Sequence, residues 1–218
     1  MKAINELFKR VYSGMFIGLL ISGIAAYITL ATPLYIYILG NMFIFFGIII
    51  LELILVFAIS GIVKKLSPGT AKAVFFFYSF LNGLTLSIIF LAYTAASIVF
   101  VFFIAAAMFG IMALYGFFTD RDLSKLGPIL FMALIGLIIA IVVNIFLKSS
   151  QFDFIISILG VIIFSGLIMY DNQKLKKIAT QIRNKKELSR YAVIATLGLY
   201  LDFINLFLFL LRLLGKRR

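Results

Sequence analysis

The sequence predicts an all-α membrane protein, a seven-transmembrane-helix bundle forming a single integral membrane domain over residues 1–218. Three observations predict it. Apolar residues make up 64% of the chain, with 25 Phe and a mean hydropathy of +1.20, far beyond what a soluble core uses. Seven apolar runs each approach or exceed the ~20 residues that a helix needs to cross ~30 Å of hydrocarbon. The charges lie mostly between those runs. A balance of 20 Lys and Arg against 8 acids, +12 in all, would suggest nucleic acid in a soluble protein. Confined to loops, it orients helices against an anionic leaflet, so the partner read from it is the lipid bilayer and no nucleic acid.

The first run, residues 11–30, follows Lys2, Lys9 and Arg10. It exceeds the 7–15 apolar residues of a cleaved signal segment and reads as a span. The second, 34–63, is long enough to bend at Gly40, Gly47 or Gly61. Glu52 sits inside it, and Asn41 falls within about 20° of Glu52 on a helix, which predicts a polar stripe. The third, 73–93, puts Tyr78, Ser79, Asn82 and Thr85 on one face. Such hydroxyl and amide groups glue spans together at roughly 0.6 to 2 kcal/mol each.

The fourth run, 98–118, has no ionisable group and reads as a peripheral, lipid-facing helix. Asp120, Arg121, Asp122 and Lys125 follow as a solvated loop, lacking the spaced Gly and closing Glu of a calcium loop. Pro128 opens the fifth run, 129–147, in which Asn144 is the strongly polar side chain. The sixth, 154–171, ends in MYDNQKLKK and places Asp171 at a membrane boundary. A basic loop of partly helical composition, with Arg183, Lys185, Lys186 and Arg190, leads to the seventh, 191–213.

Every Lys and Arg except Lys148, Arg212, Lys216, Arg217 and Arg218 lies in the amino-terminal tail or in the loops after spans two, four and six. The positive-inside rule therefore puts the amino terminus in the cytoplasm. Seven crossings put the basic carboxy-terminal tail outside, which the same rule disfavours: either the tail is tolerated there because earlier helices dominate orientation, the favoured reading, or one run does not fully cross. Short loops and small size suggest a prokaryotic plasma membrane.

Asp202, near the middle of the seventh run, needs an explanation. A carboxylate at mid-membrane costs about 2.5 to 3.5 kcal/mol even on the lenient insertion scale, so such residues face a protein interior and serve a pathway or relay. Asn205 lies about 60° from it, and Gly198, Phe209 and Arg212 complete one polar, small-residue stripe. Asp171 and Asp202, on consecutive helices, can approach each other near the cytoplasmic side. Two carboxylates in a poorly solvated site tend to share one proton and titrate as a unit. The competing structural readings pair Asp171 with Lys174 or Lys176, and have Asp202 satisfied by Asn or Tyr.

Leu197 to Gly215, LGLYLDFINLFLFLLRLLG, resembles the signature of the Bax inhibitor-1 family, especially its bacterial members, and MYDNQKL, Met169 to Leu175, is similar to that family's aspartate motif. Glu52, Asn82 with Gly83, and Asn144 are looser echoes. The resemblance implies a central seventh helix surrounded by two three-helix layers. It also implies a pH-sensitive calcium leak in which an aspartate pair, matching Asp171 and Asp202, governs closing and opening and contacts calcium transiently. A basic latch from the end of the second span pairs with the first aspartate in that picture. Here Lys64 and Lys65 stand at that place, point charges without the arginine fork.

Glu52, Asn41, Asn82, Asn144, Asn205 and Arg212 are then pore or supporting polar residues, with calcium the permeant ion and protons the signal. Glu52, Asp171, Asp202, Asn41 and Asn205 do not obviously converge into the six to eight oxygens of a tight calcium cage, which favours passage of a largely hydrated ion. Without Cys or His, the chain lacks thiol nucleophiles, imidazole relays and the usual soft metal ligands. It reads as no enzyme and implies no cofactor, although an aspartate pair can in principle cut peptides. The alternatives are a membrane-embedded partner or modulator of a membrane protease, and a proton-coupled transporter, for which no inverted repeat is legible. A retinal protein is excluded because no lysine lies between Tyr191 and Arg212.

Overall fold

The computed structural model describes residues 2–62, 66–182 and 184–218. Helices dominate: α1 (Lys2–Ala31), α2 (Leu34–Leu39), α3 (Met42–Ile62), α4 (Pro68–Leu86), α5 (Ile88–Ala92), α6 (Ala95–Phe118), α7 (Leu126–Leu147), α8 (Ser150–Gln181) and α9 (Lys185–Leu214), with a short 3-10 turn at Leu123–Lys125. Among the described residues, seven segments are long and apolar enough to cross a membrane. The all-α, seven-span class is therefore as the sequence predicts.

The helices fall into two compact units, residues 1–92 with 179–200, and residues 93–178 with 201–218. Each holds three spans and one half of α9. That helix has 67% of its most apolar stretch buried, the largest share of any span.

In the first unit, α1 and α4 meet along small residues. Gly18 lies against the Phe75 ring and Ser79. A Cβ on Gly83 would come 2.4 Å from the Ser22 carbonyl oxygen, so glycine sets how closely these two backbones approach. The long second run is broken. α2 stops at Gly40, and the Asn41 side chain accepts hydrogen bonds from the Phe43 and Ile44 amides (3.0 and 3.3 Å), capping α3. Asn41 is thus exposed at a helix start and does not extend a stripe from Glu52.

In the second unit, α6 is less peripheral than its lack of charge suggests. Val101, Ala105 and Phe109 are buried, and Phe102 and Phe109 pack edge-on against Phe203, with ring centroids 5.4 and 5.7 Å apart. The lipid-facing spans are α3 and α7, each with 6% of its most apolar stretch buried. An uncharged helix can face either protein or lipid, so composition could not separate the cases.

Helix α8 runs ten residues past Asp171. Ile168, Asn172, Leu175 and Ala179 continue one buried face at helical spacing after the apolar run has ended. Asp171 therefore sits within the helix rather than closing it. Helix α9 likewise starts earlier than its apolar run, because the Asn184 side chain accepts from the Glu187 amide at 2.8 Å and caps the first turn.

Candidate functional site

The second unit brings the two aspartates together. The Asp171 carboxylate is the charge that acts on Asp202, and among the described residues no hydrogen bond joins the two. Asp202 is 7% exposed, and its buried Oδ2 has no hydrogen-bond partner among the described residues. A buried carboxylate oxygen left in this condition calls for a proton, a water or a cation. Asp171 is partly exposed, with Lys174 one turn on as its nearest charge. The Lys174 ammonium lies 5.6 Å from the centre of the Tyr170 ring.

Both carriers are held firmly. Gln173 donates to the Arg121 carbonyl (2.8 Å) and accepts from the Leu123 amide (2.9 Å), and Lys176 donates to the Phe117 carbonyl at 2.9 Å. Lys177 reaches Asp122 at 2.5 Å. Its hydrogen bond, with those from Ser124, pulls the exposed Asp122 carboxyl down to about 2 from an ordinary 3.8. This loop is a polar clamp on the α8 turns after Asp171, and it leaves Lys176 and Lys177 engaged elsewhere than on that aspartate. On α9, Phe209 stacks on Phe164, with ring centroids 5.8 Å apart, and Gly160 gives the Phe209 ring its room. Toward the carboxy-terminal end, Arg212 lies 3.5 Å from Asp153 and 5.5 Å from the Phe209 ring centre.

The first unit holds a different polar site. Asn82 donates to Glu52 Oε2 (3.1 Å) and Thr85 to Oε1 (2.9 Å), so both carboxylate oxygens are satisfied. The Tyr200 hydroxyl donates to Asn82 Oδ1 (2.8 Å) and contacts Ser22 Oγ at 2.6 Å, and Ser22 reaches the Ser79 carbonyl at 2.7 Å. Four helices, α1, α3, α4 and α9, thus share one hydrogen-bonded chain. Asn82 and Thr85 perform the gluing role expected of their side chains, whereas the Ser79 hydroxyl donates to the Phe75 carbonyl of its own helix at 3.0 Å and its backbone carbonyl takes the Ser22 bond. Tyr200 and Ser22 escaped the sequence reading; the only available signal was a hydroxyl inside an apolar run.

Two other polar residues do not join a site. Asn144 accepts from the Ser149 amide at 3.1 Å and shapes the turn before α8. Asn205 donates to the Leu201 carbonyl of its own helix at 2.8 Å. Lys64 and Lys65, the expected latch, lie outside the described residues. Among the described residues no group of three or more Asp, Glu, His or Cys converges to hold a metal ion.

The family model described as "Inhibitor of apoptosis-promoting Bax1" matches residues 4–218. The chain belongs to the Bax inhibitor-1 family. Its similarity to individual family relatives is correspondingly extensive. It is 49% identical to a protein of Borreliella burgdorferi over 98% of this chain and 93% of that one. It is 47% identical to the inner membrane protein YbhL of Escherichia coli K12, over 96% and 91% respectively. A Rickettsia prowazekii protein is 42% identical over 100% and 92%.

Proposed function

We propose that this Bax inhibitor-1 family protein is a pH-sensitive calcium-leak channel rather than an enzyme, gated by proton sharing between Asp171 and Asp202. The observation that carries the reading is the buried, unpartnered Asp202 Oδ2 with the Asp171 charge acting on it. Such an oxygen is a resting place for a proton, and its occupancy changes the repulsion between α8 and α9 at the same spot. One proton between the carboxyls lets the helices stay together. Loss of that proton drives them apart and opens a path along α9, and calcium crosses mostly hydrated, since among the described residues no group of three or more acidic side chains converges to replace its water. The distribution of Lys and Arg among the loops supports a cytoplasmic amino terminus and aspartate end. Likeness to an inner membrane protein supports residence in a bacterial plasma membrane.

The test is calcium flux into proteoliposomes across pH 5 to 8, for the intact protein, Asp171→Asn and Asp202→Asn. Flux that varies with pH in the intact protein and flattens in either variant is the expected result. Absence of calcium flux at every pH in correctly folded protein refutes the channel and leaves binding to a membrane-protein partner as the leading function.

A further inference from the structure

At the amino-terminal end of the first unit, α1, α4 and α9 run side by side in the same direction and leave a cavity of about 270 Å³ between them. Its mouth carries Arg10, Lys72 and Ser189; its depth is lined by Phe75, Val193 and Thr196. From Ser189 to Thr196 the wall descends about 10 Å along α9, at ~1.5 Å per residue. The cavity is therefore cationic at its mouth, with Phe76 half-buried on its wall, while Phe75 and Val193 below are already buried, 1% and 3% exposed.

The two cations differ. Arg10 is pre-set: it donates to Ser189 Oγ (2.7 Å) and to the Glu6 carboxylate (2.6 Å), which fixes its plane and offsets its charge. A guanidinium has five N–H groups, so donors remain for a ligand. Lys72 is exposed and, among the described residues, has no acidic partner. Gly69 adds no side chain at the mouth, where a Cβ would meet only the Ser67 hydroxyl, 3.9 Å away. A phosphate held by an ammonium and an oriented guanidinium fits this chemistry, and the half-buried Phe76 beside it fits the start of an esterified chain.

We propose that this cavity binds a phosphate-bearing anion, supplied as the headgroup of an acidic membrane lipid. A soluble phosphate ester would use the cationic mouth and leave the half-buried Phe76 uncovered, which favours the lipid source.

The test is native mass spectrometry of the full chain in detergent with three probes. These are phosphatidylglycerol, a diacylglycerol with the same chains and no phosphate, and glycerol 1-phosphate. Phosphatidylglycerol is expected to be retained saturably at one per chain, with both other probes at least about ten-fold weaker. Lys72→Gln removes a cation worth about 1 kcal/mol at a membrane surface, and so is expected to weaken retention about five-fold. This exposed position has no acidic partner among the described residues, so folding is kept; Arg10→Gln is the second variant. Equal retention of phosphatidylglycerol by the intact protein and both variants overturns the site. Glycerol 1-phosphate binding as tightly as phosphatidylglycerol overturns the lipid as its source.

Discussion

Tyr200→Phe removes one oxygen atom from the centre of the first unit. Tyr200 is 0% exposed, and its ring packs edge-on against Phe75 and Tyr78 at 5.6 and 5.9 Å, contacts that phenylalanine keeps. What is lost is the bond to Asn82 Oδ1 and the contact with Ser22 Oγ. Ser22 retains the Gly18 and Ser79 carbonyls as acceptors, whereas Asn82 Oδ1 loses its donor. Hydrogen bonds between spans average ~0.6 kcal/mol and reach ~1.7, so two of them give a loss of about 1 to 3 kcal/mol. Unfolding of the purified protein in mixed micelles with rising dodecyl sulfate, followed by circular dichroism, measures it. A double-mutant cycle with Asn82→Leu isolates the pair and is expected to return a coupling of about 1 kcal/mol. A loss below about 0.5 kcal/mol together with zero coupling would refute the view that this chain of hydroxyls and amides ties the helices together.

Other consequences follow from the packing and the charges. Gly116→Ala places a Cβ 2.2 Å from the Met169 carbonyl oxygen, so α6 and α8 must separate; a loss of about 2 to 3 kcal/mol is expected in the same micelle assay, at the upper end for overpacking. Gly110→Ala, which meets nothing within 4 Å, is the control and is expected to be neutral or stabilising. The Asp122–Lys177 clamp has a depressed carboxyl pKa, so its contribution is complete above about 4, falls as pH drops toward 2 and is lost below it. Amide exchange in the Leu123–Lys125 turn should therefore accelerate across that window, and Asp122→Asn should show the faster rate already at pH 6. Asp202→Asn should leave micelle stability within about 0.5 kcal/mol while flattening the pH response of flux, since an amide keeps the shape and drops the charge. A large stability loss without a change in the pH profile would mark Asp202 as a packing residue.

Number and class of the helices were legible because bilayer crossing is a one-dimensional condition: enough consecutive apolar residues to cover the hydrocarbon. Asp202 was legible for the same reason, since a carboxylate in such a run is costly wherever it faces. The gluing face of α4 could be read because helical periodicity alone puts Ser79, Asn82 and Thr85 on one side.

Tertiary structure decided what those residues meet. Asn41 and Asn144 look like pore polar groups by composition, yet each satisfies amides at a break or turn, because helix ends leave backbone donors that nearby side chains take up. Glu52 and Asp202, both carboxylates within spans, ended in opposite states. Glu52 has donors on both oxygens, supplied by Asn82 and Thr85 of another helix, and Asp202 has an oxygen with none. Hydropathy reports what leaving water costs a side chain. Which partner offsets that cost depends on neighbours distant in sequence, and only the packed helices supply them.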